Sequence, residues 1–264
     1  MTEDWLAVCR AATEDVRGVL RDLPTRTERE PVVGDGVGGD ETTAVDAAAE
    51  KVILERLHAI DGATIVSEEV GILQGDGPLR VVVDPIDGSL NAKRGIPFFS
   101  ISIAVADGET MDDVVFGYVH DFGSEEEWTA VRGGGARLNG EPLGDLGPKE
   151  EIEILSFEAT LTSSVAEKAA HMVGVAYRLR IMGSLALSLC HLAAGRVDAV
   201  CSLKAARSVD IAAAQLLVKE QGLAIDLPEE PPFGAAPLDI QGRSRVVAAA
   251  TPEVASELFA ALSR

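Results

Sequence analysis

Asp84-Pro85-Ile86-Asp87-Gly88-Ser89 is the stretch on which the reading of this chain turns. It follows Val81-Val82-Val83, a short apolar run that reads as a buried strand. Two acids three residues apart therefore leave a strand together. Pro85 suits a sharp turn and Gly88 permits close backbone approach, so the turn is expected to aim both carboxylates into one space. Two anions held together are unfavourable unless something neutralises them. A hard divalent cation does so, because Mg²⁺ takes carboxylate and water oxygens in octahedral geometry. The N–H groups of Gly88 and Ser89 would then face a phosphate oxygen. The plainer reading is an ordinary strand exit, where Asp, Pro and Gly are common.

Working outward, two further acidic segments favour the metal reading. Ser67-Glu68-Glu69 follows a short strand at 63–66, and Asp210 opens an apolar helix at 210–221. Taken alone, Asp210 reads as a helix N-cap. It is the order of the three segments that carries weight, since the chain holds 43 Asp and Glu.

With these segments in place the chain resembles the inositol monophosphatase superfamily of Mg²⁺-dependent sugar phosphatases. Asp40-Glu41-Thr42-Thr43 with Asp46 is similar to its upstream motif, and Gly183-Ser184-Leu185-Ala186 to its substrate turn. The likeness runs over about residues 35–222. It implies a layered α-β-α-β-α fold with two mixed sheet regions. It also implies that Glu68, Asp84, the Ile86 carbonyl, Asp87 and Asp210 hold two Mg²⁺ ions, with Asp84 shared and a third ion near Glu68 and Glu69. Asp46 and Ser89 match the pair that orients and activates water. Asp87, Gly88, Ser89, Gly183, Ser184 and Ala186 would meet the substrate. Ser89 stands where the family usually has Thr, keeping the hydroxyl. Val209 stands where many members have Trp, which marks a different branch.

For substrate, Lys204 and Arg207 lie where animal-type members place an acid, and their charge suggests a second phosphate. A solvated basic loop is the plainer reading. Arg178 and Arg180 are additional candidates. This pattern, with Ile96-Pro97-Phe98-Phe99, resembles the archaeal branch, which hydrolyses fructose 1,6-bisphosphate and inositol 1-phosphate. Three alternatives stand beside it: inositol monophosphatase activity alone, a 3′-phosphoadenosine 5′-phosphate phosphatase, and an inactive member acting as a binding protein.

Around these motifs strands and helices alternate, giving a mixed α/β class. Helices are expected over 3–22, 44–60, 163–172, 184–194, 210–221 and 252–263, and strands over 98–106, 113–119, 127–131, 152–157, 176–181, 198–202 and 246–250. The polar stretch 144–151 is the expected boundary between residues 1–148, with most metal ligands, and residues 149–264, with Asp210. Cys9, Cys190 and Cys201 have no CxxC spacing and read as small core residues. His58, His120, His171 and His191 fit no motif and are expected to be non-catalytic, His191 as a core residue.

The 264 residues are 47% hydrophobic, which excludes general disorder. No run matches a membrane span, and Glu3 and Asp4 stand where a signal peptide needs basic residues, so a cytoplasmic protein is expected. The formal net charge of −20 argues against a nucleic-acid partner. Only 6 of the 23 basic residues are Lys. Such acidity is self-repelling unless salt screens it, which suggests a halophilic cytoplasm; an acidic, Arg-rich protein of a high-GC organism is the plainer alternative. The family likeness implies a homodimer.

Overall fold

The computed structural model describes residues 4–37, 41–58, 60, 62–147, 149–158, 161–230 and 232–264. Two sheets organise it. The larger runs in the order Glu141–Pro142, Gly135–Leu138, Glu126–Val131, Val114–Asp121, Ser100–Ala106, Arg80–Asp87, Thr64–Ser67, Gly71–Leu73. Its pairs are antiparallel except Thr64–Ser67 with Arg80–Asp87. The smaller runs Ala176–Arg180, Ile152–Glu158, Ala199–Ser202, Val247–Ala249, Ala224–Asp226, and its first three strands are parallel.

Strand alternation divides the side chains between layers. On Ser100–Ala106, Ile101, Ile103 and Val105 meet helices Trp5–Asp22 and Ala44–Leu57, while Ala104 and Ala106 face the other way. That second face packs on helices Leu185–Ala193 and Ser208–Glu220. Across these helices lie Val200 and Ala248 of the smaller sheet, with Val246 just before its strand Val247–Ala249. Its outer face, with Ala199, Cys201, Val247 and Ala249, is covered by helix Pro252–Leu262. The layers are therefore α-β-α-β-α, as expected. All three cysteines are buried in them.

The two sheets take their strands from either side of residues 143–151, yet the middle helices share one apolar cluster with both. Helix Ser208–Glu220 lies so close to the larger sheet that a Cβ on Gly117 would stand 2.4 Å from the Ala213 carbonyl oxygen. This approach delivers Asp210, from the second half of the chain, to the strand that carries Asp84 and Asp87.

Most elements fall within a few residues of expectation. Helix Trp5–Asp22 is capped by Asp4, which accepts from the Ala7 N–H at 3.2 Å. Three differences matter. The Asp84 motif is not a turn after the strand but the end of the strand itself. Asp210 is not the cap of its helix, which begins at Ser208. An antiparallel pair of Val32–Asp35 with Glu41–Thr43, exposed over its first strand, lies where the sequence suggested no strand. Asp40 falls outside the described residues. Among the described residues no helix is long and apolar enough to cross a membrane.

Candidate active site

In a regular strand, residues three apart point to opposite faces. Asp84 pairs with Ser102 and Asp87 with Ser100, so three steps on one strand oppose two on its neighbour. This one-residue bulge returns Asp87 to the face of Asp84. The bulge does what the sequence reading assigned to a turn. The Asp84 carboxylate is buried and accepts from the Ile86 N–H at 3.0 Å. Beyond Asp87 the chain turns through Gly88, at φ +91°, into a short helix from Ser89. Ser89 Oγ donates to the Ile86 carbonyl at 2.9 Å.

Asp87 is held from the other half of the chain. Its Oδ2 accepts from Ser184 Oγ and from the Ala186 N–H, the latter at 2.8 Å. Ser184 also caps its own helix, accepting from the Leu187 N–H at 3.2 Å. Gly183 adopts φ +90°, and a Cβ there would lie 3.0 Å from Asn91 Nδ2.

Glu68 and Glu69 follow strand Thr64–Ser67 and diverge. Glu69 accepts from Thr42 Oγ1 and so binds strand Glu41–Thr43. Glu68 accepts from Arg207 Nη2 at 2.5 Å. Asp210 accepts from the same nitrogen at 2.9 Å and from the Arg207 backbone N–H at 2.7 Å. Asp210 therefore sits in the first turn and holds the helix start through the residue before it. Glu50, a buried residue that the motifs did not single out, accepts from Ser67 Oγ and the Val70 N–H and closes the Glu68–Glu69 turn.

Asp46 is buried in the first turn of its helix. Its Oδ2 accepts from the Thr43 N–H at 3.2 Å and from Thr43 Oγ1. Its Oδ1 is buried with no hydrogen-bond partner among the described residues. Capping thus accounts for one carboxylate oxygen and leaves the other for something else.

The electrostatics follow from burial. Desolvation, then the charges of Glu68, Asp87 and Asp210, hold Asp84 well above the usual carboxylate range. Burial likewise pushes Glu68 up to about 7, against the pull of Arg207. It also pushes Asp87 up to about 7, against the Ser184 hydrogen bond. Burial opposes the charge on Arg207, but Asp210 and Glu68 outweigh it and hold its pKa above the ordinary value.

Asp87, Asp210, Arg207, Gly183 and exposed Lys204 line one cavity of about 330 Å³. So does Glu158, buried at the end of its strand and missed by the sequence reading. Arg178 instead pairs with Glu153 at 3.2 Å on the exposed sheet edge, and neither it nor Arg180 lines the cavity. His191 packs between Phe98 and Trp128, and His120 is buried beside Arg17, both away from these carboxylates.

The donor set fits a hard divalent cation. It consists of carboxylate and carbonyl oxygens, contains no His or Cys, and is mutually repelling. As they stand, no three such groups among the described residues close on one point in metal-ligating geometry.

The sequence model of the inositol monophosphatase family matches residues 3–264. The chain belongs to this family. It is 31% identical over 271 residues to the fructose-1,6-bisphosphatase/inositol-1-monophosphatase of Methanothermobacter thermautotrophicus, covering 98% of this chain and 96% of that one. To the protein of the same name from Thermococcus kodakarensis it is 38% identical over 191 residues, 72% of this chain and 71% of the relative. The crystal structure of an inositol monophosphatase–fructose 1,6-bisphosphatase matches with a TM-score of 0.86 at 27% identity, covering 98% and 99% of the two chains. Membership makes the chain a sugar-phosphate phosphatase of a generally metal-dependent family.

Proposed function

We propose that this inositol monophosphatase family member hydrolyses fructose 1,6-bisphosphate and inositol 1-phosphate with two or three Mg²⁺ ions. The carrying observation is the gathering of Asp84, Asp87, Glu68 and Asp210 from three separate segments, with Glu68 and Asp87 pushed up to about 7. That arrangement costs stability without a cation and so has a function to explain it.

Glu68, Asp84, the Ile86 carbonyl, Asp87 and Asp210 would hold the ions, with Glu69 near a third. When bound, Mg²⁺ supplies an activated water and stabilises the departing alkoxide of a phosphate monoester. Asp46 Oδ1, buried and without a hydrogen-bond partner among the described residues, would take the proton of the attacking water. Ser89 Oγ, fixed on the Ile86 carbonyl, orients that water with it. The turn amides of Gly88 and Ser89 meet the phosphate, and the Gly183-Ser184 turn with Ala186 shapes the sugar's place beside Asp87.

Lys204, exposed on the cavity wall, supports a bisphosphate substrate, since its ammonium would meet a second phosphate. Arg207 contributes positive charge at the same wall while bound to Glu68 and Asp210. The archaeal relatives are named for both activities. The net charge of −20 supports small anions drawn by local cations and metal rather than nucleic acid. We read the protein as a cytoplasmic homodimer adapted to high salt. Phosphate release from each substrate with and without Mg²⁺ tests the reading, with Asp84→Asn as control.

A further inference from the structure

We propose that Glu158 is a positioning residue of this active site: it holds the Met182-Gly183-Ser184 turn, and through that turn it fixes the carboxylate of Asp87.

Glu158 is 2% exposed and ends the strand next to the cavity. Its Oε1 accepts from Ser188 Oγ at 2.7 Å and Ser156 Oγ at 2.9 Å. Its Oε2 accepts from the Gly183 N–H at 2.9 Å. A carboxylate accepts from several donors at once, so this one side chain ties the turn to both serines. Its oxygens are committed to the protein, so it acts through the turn rather than on the substrate.

The turn is gripped from the opposite side as well. Asn91 Nδ2 donates to the Met182 carbonyl and to the Phe98 carbonyl, both at 2.8 Å. Met182 is thus held by its oxygen and Gly183 by its nitrogen. The next residue, Ser184, donates to Asp87, as does the Ala186 N–H. A continuous run of hydrogen bonds therefore crosses from the smaller sheet, through Glu158 and the turn, to Asp87 on the larger one. Loosening Glu158 frees Asp87 to rotate, whereas a residue that only filled the core would leave Asp87 where it is. Burial raises the pKa of Glu158, and the hydrogen bonds from Ser188, Ser156 and Gly183 oppose that rise, in keeping with a carboxylate kept as an acceptor.

The inference rests on the metal-site reading of Asp87 for one of its two readouts. The test compares the wild type with Glu158→Ala, Glu158→Gln, Ser184→Ala and the Glu158→Ala/Ser184→Ala pair. It measures amide hydrogen exchange over residues 182–187 and the Mg²⁺ concentration that half-saturates phosphate release. Glu158→Ala is expected to speed exchange in that segment and to raise the Mg²⁺ requirement about tenfold, with KM for substrate changed less than about twofold. Glu158→Gln keeps an acceptor for Gly183 and turns its amide to the two hydroxyls, so it is expected within about threefold of wild type. Glu158→Ala and Ser184→Ala act through one turn, so their combined effect is less than the product of the two.

Wild-type exchange and Mg²⁺ dependence in Glu158→Ala would overturn the proposal. So would Glu158→Gln as damaging as Glu158→Ala, which would mean that the charge itself acts on metal or substrate. Effects that multiply in the double variant would also overturn it. If Glu158→Ala does not fold, Ser156→Ala/Ser188→Ala loosens the same carboxylate from its other side and is read in the same two ways. A wild type that needs no divalent ion would sink the metal reading, while the exchange measurement still decides the role of Glu158.

Discussion

Arg207 Nη2 donates to Glu68 Oε1 at 2.5 Å, joining residues that stand 139 apart in the chain. Arg207 thereby faces two ways, toward the cavity wall and into the carboxylate group. Removing it leaves Glu68 and Asp210 without that cation. Arg207→Ala is predicted to lower stability in EDTA by about 2–3 kcal/mol, and to enlarge the rise in Tm on adding MgCl₂ because nothing then repels the ion. Thermal melts with EDTA and with Mg²⁺ check this; an unchanged Mg²⁺ response contradicts it.

Lys204 lies exposed on the same cavity wall. Lys204→Ala is predicted to raise KM for fructose 1,6-bisphosphate about tenfold and to leave inositol 1-phosphate within about twofold. Steady-state kinetics on the two substrates separate a second-phosphate contact from a surface residue. Equal effects on both would make Lys204 a general contributor.

Asp84→Asn keeps the acceptor for the Ile86 N–H while removing a charge that burial and three neighbouring acids oppose. Turnover is predicted to fall by about a hundredfold or more. Tm in EDTA should hold or rise, because like-charge repulsion is relieved. A fall in both activity and Tm would mean that Asp84 is structural.

Glu68 and Asp87 titrate near 7 in the folded protein, above the ordinary carboxylate range. The folded state therefore holds more protons than the unfolded chain between about pH 4 and pH 7. Their contribution to stability is full below that window and is lost as pH rises through about 7. Tm in EDTA should therefore fall less steeply with rising pH in Asp87→Asn than in the wild type. With Mg²⁺, which favours the ionised forms, the stabilisation by metal should grow across the same window. A metal-induced shift in Tm that does not depend on pH would contradict both statements.

The net charge of −20 gives a separate test. Circular dichroism melts from dilute buffer to molar KCl should show structure lost at low salt. A melt that does not change with salt would leave the acidity without a stabilising role for salt.

Much of this was legible because hydrophobic alternation and the Asp84, Glu68 and Asp210 motifs are local signals. Val81, Val82 and Val83 announce a buried strand, and the three layers of helix follow from their apolar faces. The bulge was not legible: only pairing with Ser100 and Ser102 shows that Asp87 regains the face of Asp84. Glu158 carried no signal, being one acid among 43 at the end of an ordinary strand, and its meaning comes from Gly183 and Ser188 across space. Likewise, sequence gave Arg207 a charge but not its partner Glu68. The exposed Val32–Asp35 strand lacks an apolar face, so no periodicity marked it.

The most direct test of the central claim is phosphate release in molar KCl. Fructose 1,6-bisphosphate, inositol 1-phosphate and 3′-phosphoadenosine 5′-phosphate are compared with Mg²⁺ and with EDTA, using Asp84→Asn as control. The account predicts Mg²⁺-dependent turnover of the first two, abolished by EDTA and by the substitution. Turnover of inositol 1-phosphate alone would remove the second-phosphate role of Lys204, and turnover of the nucleotide alone would replace the substrate class. Turnover that persists in EDTA or in Asp84→Asn, or none on any of the three, would contradict the metal-centred phosphatase described here.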